Sequence, residues 1–290
     1  LGARSFDILN LLILAILGLL CLLPFVHVVA ISFSGAGPAA GGLVRFWPID
    51  LTIANYELAS RNDRLWTSFF WAIARAIVGT FLTLLVAILT AYPLSRSAQS
   101  FPARIVFVVF LLAVMLFDGG IIPRFMVVRW VGLYDTFWAM VIPFVFNPWI
   151  IILLMNFFRS LPKELEEAAL IDGAGHFSIL FRIYVPLSRP ALATMTLFAL
   201  VGLWNDWFFP SLYLRDSGLY PLQTYLQLFL NQANITELFR QGNIEAFLAL
   251  VSNRGLRAAT LVIAMIPILL IYPLLQRYFV KGIVLGAVKE

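Results

Sequence analysis

Long apolar runs, separated by short and uneven polar connectors, organise this chain. A helix needs about 20 mostly apolar residues to cross a bilayer. That rule predicts six membrane spans, at 8–33, 66–94, 101–122, 136–158, 190–213 and 258–277. The first carries no charged residue, and the second is free of charge from Ala76 onward. The third and fifth are less clean, since Asp118 falls inside one and Asp206 inside the other. The connectors alternate sides, and only the segment 159–189 shows strong internal patterning. No repeat at a fixed period is visible. The predicted fold class is therefore all-α, a polytopic membrane protein with a single transmembrane domain over 1–290.

Composition agrees with the pattern. Hydrophobic residues make up 62% of the 290 residues and charged ones 12%, against roughly 25% charged in soluble domains. The 26 Phe and 8 Trp suit lipid contact and interfacial belts. The lone cysteine, Cys21, excludes an internal disulfide and reads as a small apolar residue. The net charge of +5 fits a phospholipid surface better than nucleic acid, since no basic stretch is interleaved with aromatics. The first apolar run is too long for the core of a signal peptide. Summing Lys and Arg over the alternating connectors gives a tie at ten per side, so charge alone does not orient the chain. Short loops weigh more than long ones and favour cytoplasmic termini.

Segment 159–189 is polar inside a greasy sequence. Ser160 is placed to cap a helix with Pro162 in its first turn, and Glu164, Glu166 and Glu167 near the positive end of its dipole. Leu165, Ala168, Ala169 and Asp172 fall at helical spacing on one face. The small alanines permit close approach of another surface, and Gly173 supplies a stop. A second short helix over 177–184 is expected to end before Pro186. Two readings stay open on physics alone: a helix lying in the headgroups, or one that docks a partner from the water. The acidic character of the first helix speaks against headgroups.

The string resembles the coupling signature of the permease subunits of binding-protein-dependent ABC importers. Glu167, Ala168, Ala169, Gly173, Ile183 and Pro186 fall on that signature at its spacing, and Val185 stands where Leu is usual. The extended form with Glu166, Asp172 and Gly175 is similar to the carbohydrate-uptake branch. Ala91-Tyr92-Pro93-Leu94-Ser95-Arg96 and Gly132-Leu133-Tyr134-Asp135-Thr136 resemble the same branch. Gly119-Gly120-Ile121-Ile122-Pro123 and the segment 272–282 resemble permeases for aldouronate or alginate oligosaccharides. The resemblance implies a type I importer permease in a bacterial inner membrane, with the 159–189 loop and both termini cytoplasmic. It implies a second homologous permease, two ATPase subunits and an extracytoplasmic solute-binding protein as partners. It implies no bond chemistry and no cofactor on this chain, with ATP and Mg held by the ATPase. No G-x-x-x-x-G-K phosphate loop occurs in the sequence.

For the translocation path, Trp204, Asn205, Asp206 and Trp207 combine flat aromatics with hydrogen-bonding groups, as a sugar requires. A carboxylate near mid-bilayer costs about 2.5–3.5 kcal/mol on insertion scales, so Asp206 should face a cavity or a partner. The competing reading is an aromatic belt at the outer interface. Arg75 and Arg124 flank spans on the outer side and suit a uronate carboxylate, or else act as snorkelling anchors. Asn231, Asn234, Glu237, Arg240 and Asn243, in the long outer loop, are candidates for docking the binding protein. The expectation is half of a translocation path for an oligosaccharide, with uronate types among the candidates. The alternative is a secondary sugar transporter working without an ATPase, which would need coupling charges in several spans.

Overall fold

The computed structural model describes residues 3–231, 251–267 and 269–270, with side chains from Phe6 onward. Among them the chain is helical and no strand occurs. They divide into two compact units, one within Leu1–Trp66 and Leu226–Leu269, the other within Thr67–Tyr225 and at Leu270.

In the first unit, helix α1 (Ala3–Ser32) is apolar on every side beyond its first turns, and the most apolar 18-residue window of its spanning part, Phe6–Ser32, holds no buried residue. Such a helix needs lipid or a partner as solvent. Its C-terminal end, at Ala30 and Ile31, packs with Ala39 of α2 (Ala36–Ala40), Val44 and Ala258. Buried Asn55, in α3 (Ala54–Ser60), donates to the carbonyls of Ser32 and Ser34, both 3.0 Å away. The turn that leaves α1 is thus closed by a side chain.

The second unit is built on α4 (Asp63–Ser95), 33 residues long and unbroken despite Pro93. Its later half supplies Ala87, Ala91, Tyr92 and Leu94 to the main core. Against them, α8 (Pro148–Arg159) buries Ile150, Ile151, Leu154, Met155 and Phe158, a stripe at the i, i+4 spacing of an amphipathic helix. Helix α12 (Arg189–Asn205) adds Met195 and Ala199. Gly79 lets α4 and α12 approach closely, since a Cβ there would lie 2.6 Å from a Leu203 methyl.

Three expected spans are broken rather than straight. Segment 101–122 forms α5 (Arg104–Leu116) and α6 (Ile121–Trp130), bent by 114° at the join. Gly120 there holds φ 82°, a conformation open to glycine. The 13 residues of α5 rise only about 20 Å, short of a roughly 30 Å hydrocarbon layer. Segment 136–158 bends by 43° between α7 (Ile142–Val145) and α8, where Pro148 cannot continue a helix ladder. Segment 190–213 breaks after α12, and α13 (Phe208–Tyr213) follows a two-residue gap at Asp206 and Trp207. Among the described residues two helices are long and apolar enough to cross a membrane, or up to five if each bent pair counts as one crossing, the third such pair being His176–Leu187 with Arg189–Asn205, bent by 82°. Residues 253–267 are helical and begin the region of the sixth expected span, which runs on outside the described residues.

Candidate functional site

The patterned loop folds as a short helix tied to the core on one side. Helix α9 (Glu164–Ile171) starts after Lys163, without a side-chain cap. Ser160 does not cap it. Its hydroxyl donates to the Phe157 carbonyl, 2.7 Å away, and closes α8 instead. At the other end, Gly173 takes φ 80°. Its N–H donates to the Leu170 carbonyl and that of Ala174 to Ala169, at 3.0 and 2.9 Å. These bonds form a Schellman closure, in which the αL residue is glycine by preference. Ala174 packs against the core beside it.

The face grouped by helical spacing is divided in the structure. Leu165, Ala168 and Asp172 are exposed, and it is Glu166 and Ala169 that turn inward. Glu166 receives the Tyr184 hydroxyl and pairs with Arg96, which follows the last residue of α4. Arg96 also lies over the Tyr92 ring, 5.3 Å from its centroid. Tyr184 stands edge-on to Tyr92 and to Phe158, with centroids at 5.1 and 5.4 Å. One carboxylate thus joins the loop to α4 and α8 through two aromatic walls. Glu167, its sequence neighbour, is exposed, as is Ala168.

The second half of the loop runs through α10 (His176–Ile179), a π turn (Leu180–Tyr184) and α11 (Val185–Leu187). Gly175 is the residue before α10, in extended conformation. The helix does not end before Pro186, as expected; it widens instead. Proline has no N–H to give residue 182, so the preceding ladder loosens into the wider turn. Ile183 packs on the core, while Ile171 and Phe177 are 86% and 73% exposed. The loop therefore offers water an acidic, partly apolar face around Glu167.

The proposed path residues separate. Trp204 is buried and meets Phe69 edge-on at 6.2 Å, while Asn205 and Trp207 are exposed. Asp206 sits in the gap between α12 and α13. Its Oδ1 accepts the N–H groups of Phe208 and Phe209, both at 3.2 Å, and so caps α13. Its Oδ2 accepts from Arg75, 2.5 Å away. Arg75 is not an outer flank. It is 1% exposed, and its other donors reach the carbonyls of Met140, Leu203 and Asp206 at 2.9 to 3.0 Å. A buried charge needs this degree of pairing, and the pairing leaves Arg75 little to offer a ligand.

Beside this pair lies a cavity of about 500 Å³. Asp206, Arg124 and Asn147 contribute polar groups to it, among Phe144, Phe198 and Phe209. Arg124 pairs with Asp118 at 3.1 Å and lies 5.6 Å from the Phe209 ring centroid. The cavity thus brings Arg124 and Asp206 together, and excludes Arg75, Trp204, Asn205 and Trp207 from its lining. Asn147 was not foreseen; its side chain caps α8 by accepting from Ile150. Asn-Pro before an apolar run was the signal available. Of the docking candidates, Asn231 ends α14 (Leu222–Asn231) and is exposed. Asn234, Glu237, Arg240 and Asn243 lie outside the described residues.

Residues 90–285 match the family described as the binding-protein-dependent transport system inner membrane component. Protein LplC of Bacillus subtilis is 37% identical over 99% of this chain and 96% of its own length. The polygalacturonan/rhamnogalacturonan transport system permease protein YtcP of the same organism is 36% identical, covering 99% of both chains. Among solved structures, a chain of a bacterial ABC transporter involved in the import of the acidic polysaccharide alginate superposes with TM-score 0.88. It is 33% identical and covers 95% of this chain and 97% of its own.

Proposed function

The chain belongs to the inner membrane components of binding-protein-dependent transport systems, as a permease of the sugar-importing ABC type, and on that premise we propose how it couples and what it carries. The helix around Glu167 docks on a cytoplasmic ATPase, and Glu166 anchors that helix to the membrane core. The observation that carries this reading is the split between the two glutamates, one tied to Arg96 and Tyr184, the other exposed. In this arrangement the loop and both termini are cytoplasmic. A second permease completes the path, two ATPase subunits hold ATP and Mg, and an extracytoplasmic binding protein delivers cargo. This chain makes and breaks no bonds.

The cargo we assign is an acidic oligosaccharide. Relatives named for polygalacturonan and alginate support it, as does a cavity that sets Arg124 among phenylalanine rings. Rings stack on the C–H faces of sugars, and a guanidinium suits a uronate carboxylate. Arg75 and Asp206 hold the cavity wall rather than the cargo. A secondary transporter needs a carboxylate free to couple to an ion, and the one tied to Arg75 does not serve that purpose.

Reconstitution of the chain with a partner permease, ATPase and binding protein in proteoliposomes tests the reading. ATP-dependent uptake of oligogalacturonate or oligoalginate, with neutral oligosaccharides taken up poorly, is expected. Uptake that proceeds without the ATPase would overturn the coupling. Preference for neutral cargo would overturn the substrate class alone.

A further inference from the structure

Two cavities adjoin the join of α4 and α5; the first shares no lining residue with the path cavity described above, and the second shares only Phe146. The first, of about 350 Å³, is lined by four cationic side chains, Arg96, Arg104, Arg159 and Lys163, and by the carboxylates Glu166 and Glu167. Ser95, Ser97 and Ser100 add hydroxyls. Among the described residues Arg96 alone of the four is paired with a carboxylate; Arg104 and Arg159 donate to the carbonyls of Arg96 and Leu94. A guanidinium has five N–H donors, so both retain donors for an anion. The second, of about 360 Å³, is lined by apolar side chains that include Leu94, Phe101, Phe107, Phe110 and Leu111. The linings alternate along one stretch of chain: Leu94 then Ser95, Ser100 then Phe101, Arg104 then Phe107.

We propose that the two cavities form one binding site for an anionic phospholipid, its phosphate among Arg104, Arg159 and Lys163 and an acyl chain along Phe101, Phe107 and Phe110. Unbalanced cations at the end of an apolar groove complement a molecule with a negative head and a hydrocarbon tail. Free phosphate would account for the cations and leave the groove without a role. The surface of α5 beside the groove is apolar, with Ile105, Val106 and Val109 each more than half exposed, as a lipid-facing helix requires. Because Glu166 lines the same cavity and is held by Arg96, the bound head group touches the element that positions α9. Placing the site in the cytoplasmic leaflet rests on the orientation proposed above; lipid binding itself does not.

Native mass spectrometry of the assembled transporter, with phosphatidylglycerol and phosphatidylethanolamine as probes, reads the site directly. Phosphatidylglycerol should be retained and phosphatidylethanolamine lost, with millimolar inorganic phosphate unable to displace the lipid. Two cations near a membrane surface are each worth a moderate factor, so Arg104→Gln with Lys163→Gln should lower retention about tenfold. Arg129→Gln, outside both linings, should leave retention at the wild-type level. Where the double variant fails to assemble, Phe110→Asn, which keeps all four cations, should lower it as well. Equal retention in wild type and variants, equal retention of both lipids, displacement by phosphate alone, or a partner subunit filling the groove would each overturn the site. ATP-driven uptake is a separate readout, so loss of the lipid and failure of the importer reading are distinguishable.

Discussion

Helix α4 carries one arginine tether within it, Arg75, and is followed directly by a second, Arg96, and the two are built for different tasks. From Arg75 to Arg96 the chain rises roughly 30 Å at about 1.5 Å per residue, close to the thickness of the hydrocarbon layer. Each arginine holds a carboxylate from a distant segment, Asp206 in one case and Glu166 in the other. At Arg75 the guanidinium itself is buried and three backbone carbonyls take up its remaining donors, while Asp206 borders the neighbouring cavity. The pair fixes a gap between two helices and shapes a cavity wall. At Arg96 the pair borders an open cavity, and the residue after its carboxylate faces water. It holds an element that must stay anchored while presenting its other face. One ion-pair chemistry therefore serves rigidity in the bilayer and presentation at its surface.

The largest effect is expected from cutting the buried tether. Arg75→Ala removes the charge partner of Asp206 and the guanidinium donors to three carbonyls and should cost about 3–5 kcal/mol, read as loss of monodisperse, folded complex in thermal unfolding. Arg75→Lys should rescue little, because an ammonium cannot reproduce a fork that meets four acceptors. If Arg75→Ala instead folds normally and only weakens substrate affinity, the contrast between the tethers is broken.

Cutting the surface tether should be milder for folding and severe for coupling. Glu166→Ala removes two charge-assisted contacts and should loosen α9 by about 1–3 kcal/mol, with ATP-driven uptake falling while the complex still assembles. Glu167→Ala should leave the melting temperature unchanged and reduce co-purification of the ATPase. Equal effects of both substitutions on melting and on co-purification would erase the distinction between inward and outward glutamates.

A smaller effect belongs to Arg124. Its pair with Asp118 is exposed and worth about 0–1 kcal/mol, so Arg124→Gln should barely change stability. It should selectively weaken uptake of acidic oligosaccharides, measured as a rise in KM relative to a neutral analogue.

The smallest effect is in pH dependence outside the bilayer. Asp135 accepts the N–H groups of Asp216 and Arg215, which hold its carboxyl below the usual 3.8. A lowered folded-state pKa stabilises above the ordinary carboxylate range, and that stability is lost as pH falls through the folded value. Acid unfolding curves should show a slight loss below pH about 4 that Asp135→Asn abolishes.

What the sequence revealed follows the same division. The patterned loop was legible as a family signature because its residues are local: Glu167, Gly173 and Pro186 sit at fixed spacing within one segment. The buried tether was not, because Arg75 and Asp206 are 131 residues apart and only the fold brings them together. Arg75 read as an outer flank for that reason. The breaks at Gly120 and Asp206 were also hidden, since hydropathy averages over a window and does not register a single φ or a cap. Arg96 closes a segment that resembles the family and Tyr184 ends an expected helix, but their joint hold on Glu166 exists only in the folded chain. That Glu166 is the glutamate turned inward has the same origin, since its partners Arg96 and Tyr184 are distant from it in sequence.

The account stands most directly on which face of α9 meets the ATPase. Cys21 is the only cysteine, so a Cys21→Ser background allows single-site photocrosslinking from Ala168→Cys and Ala169→Cys in the assembled transporter. Ala168 is exposed and Ala169 packs on the core. The account predicts an adduct with the ATPase subunit from position 168 and none from 169. Adducts from both positions alike, or from 169 alone, would contradict it.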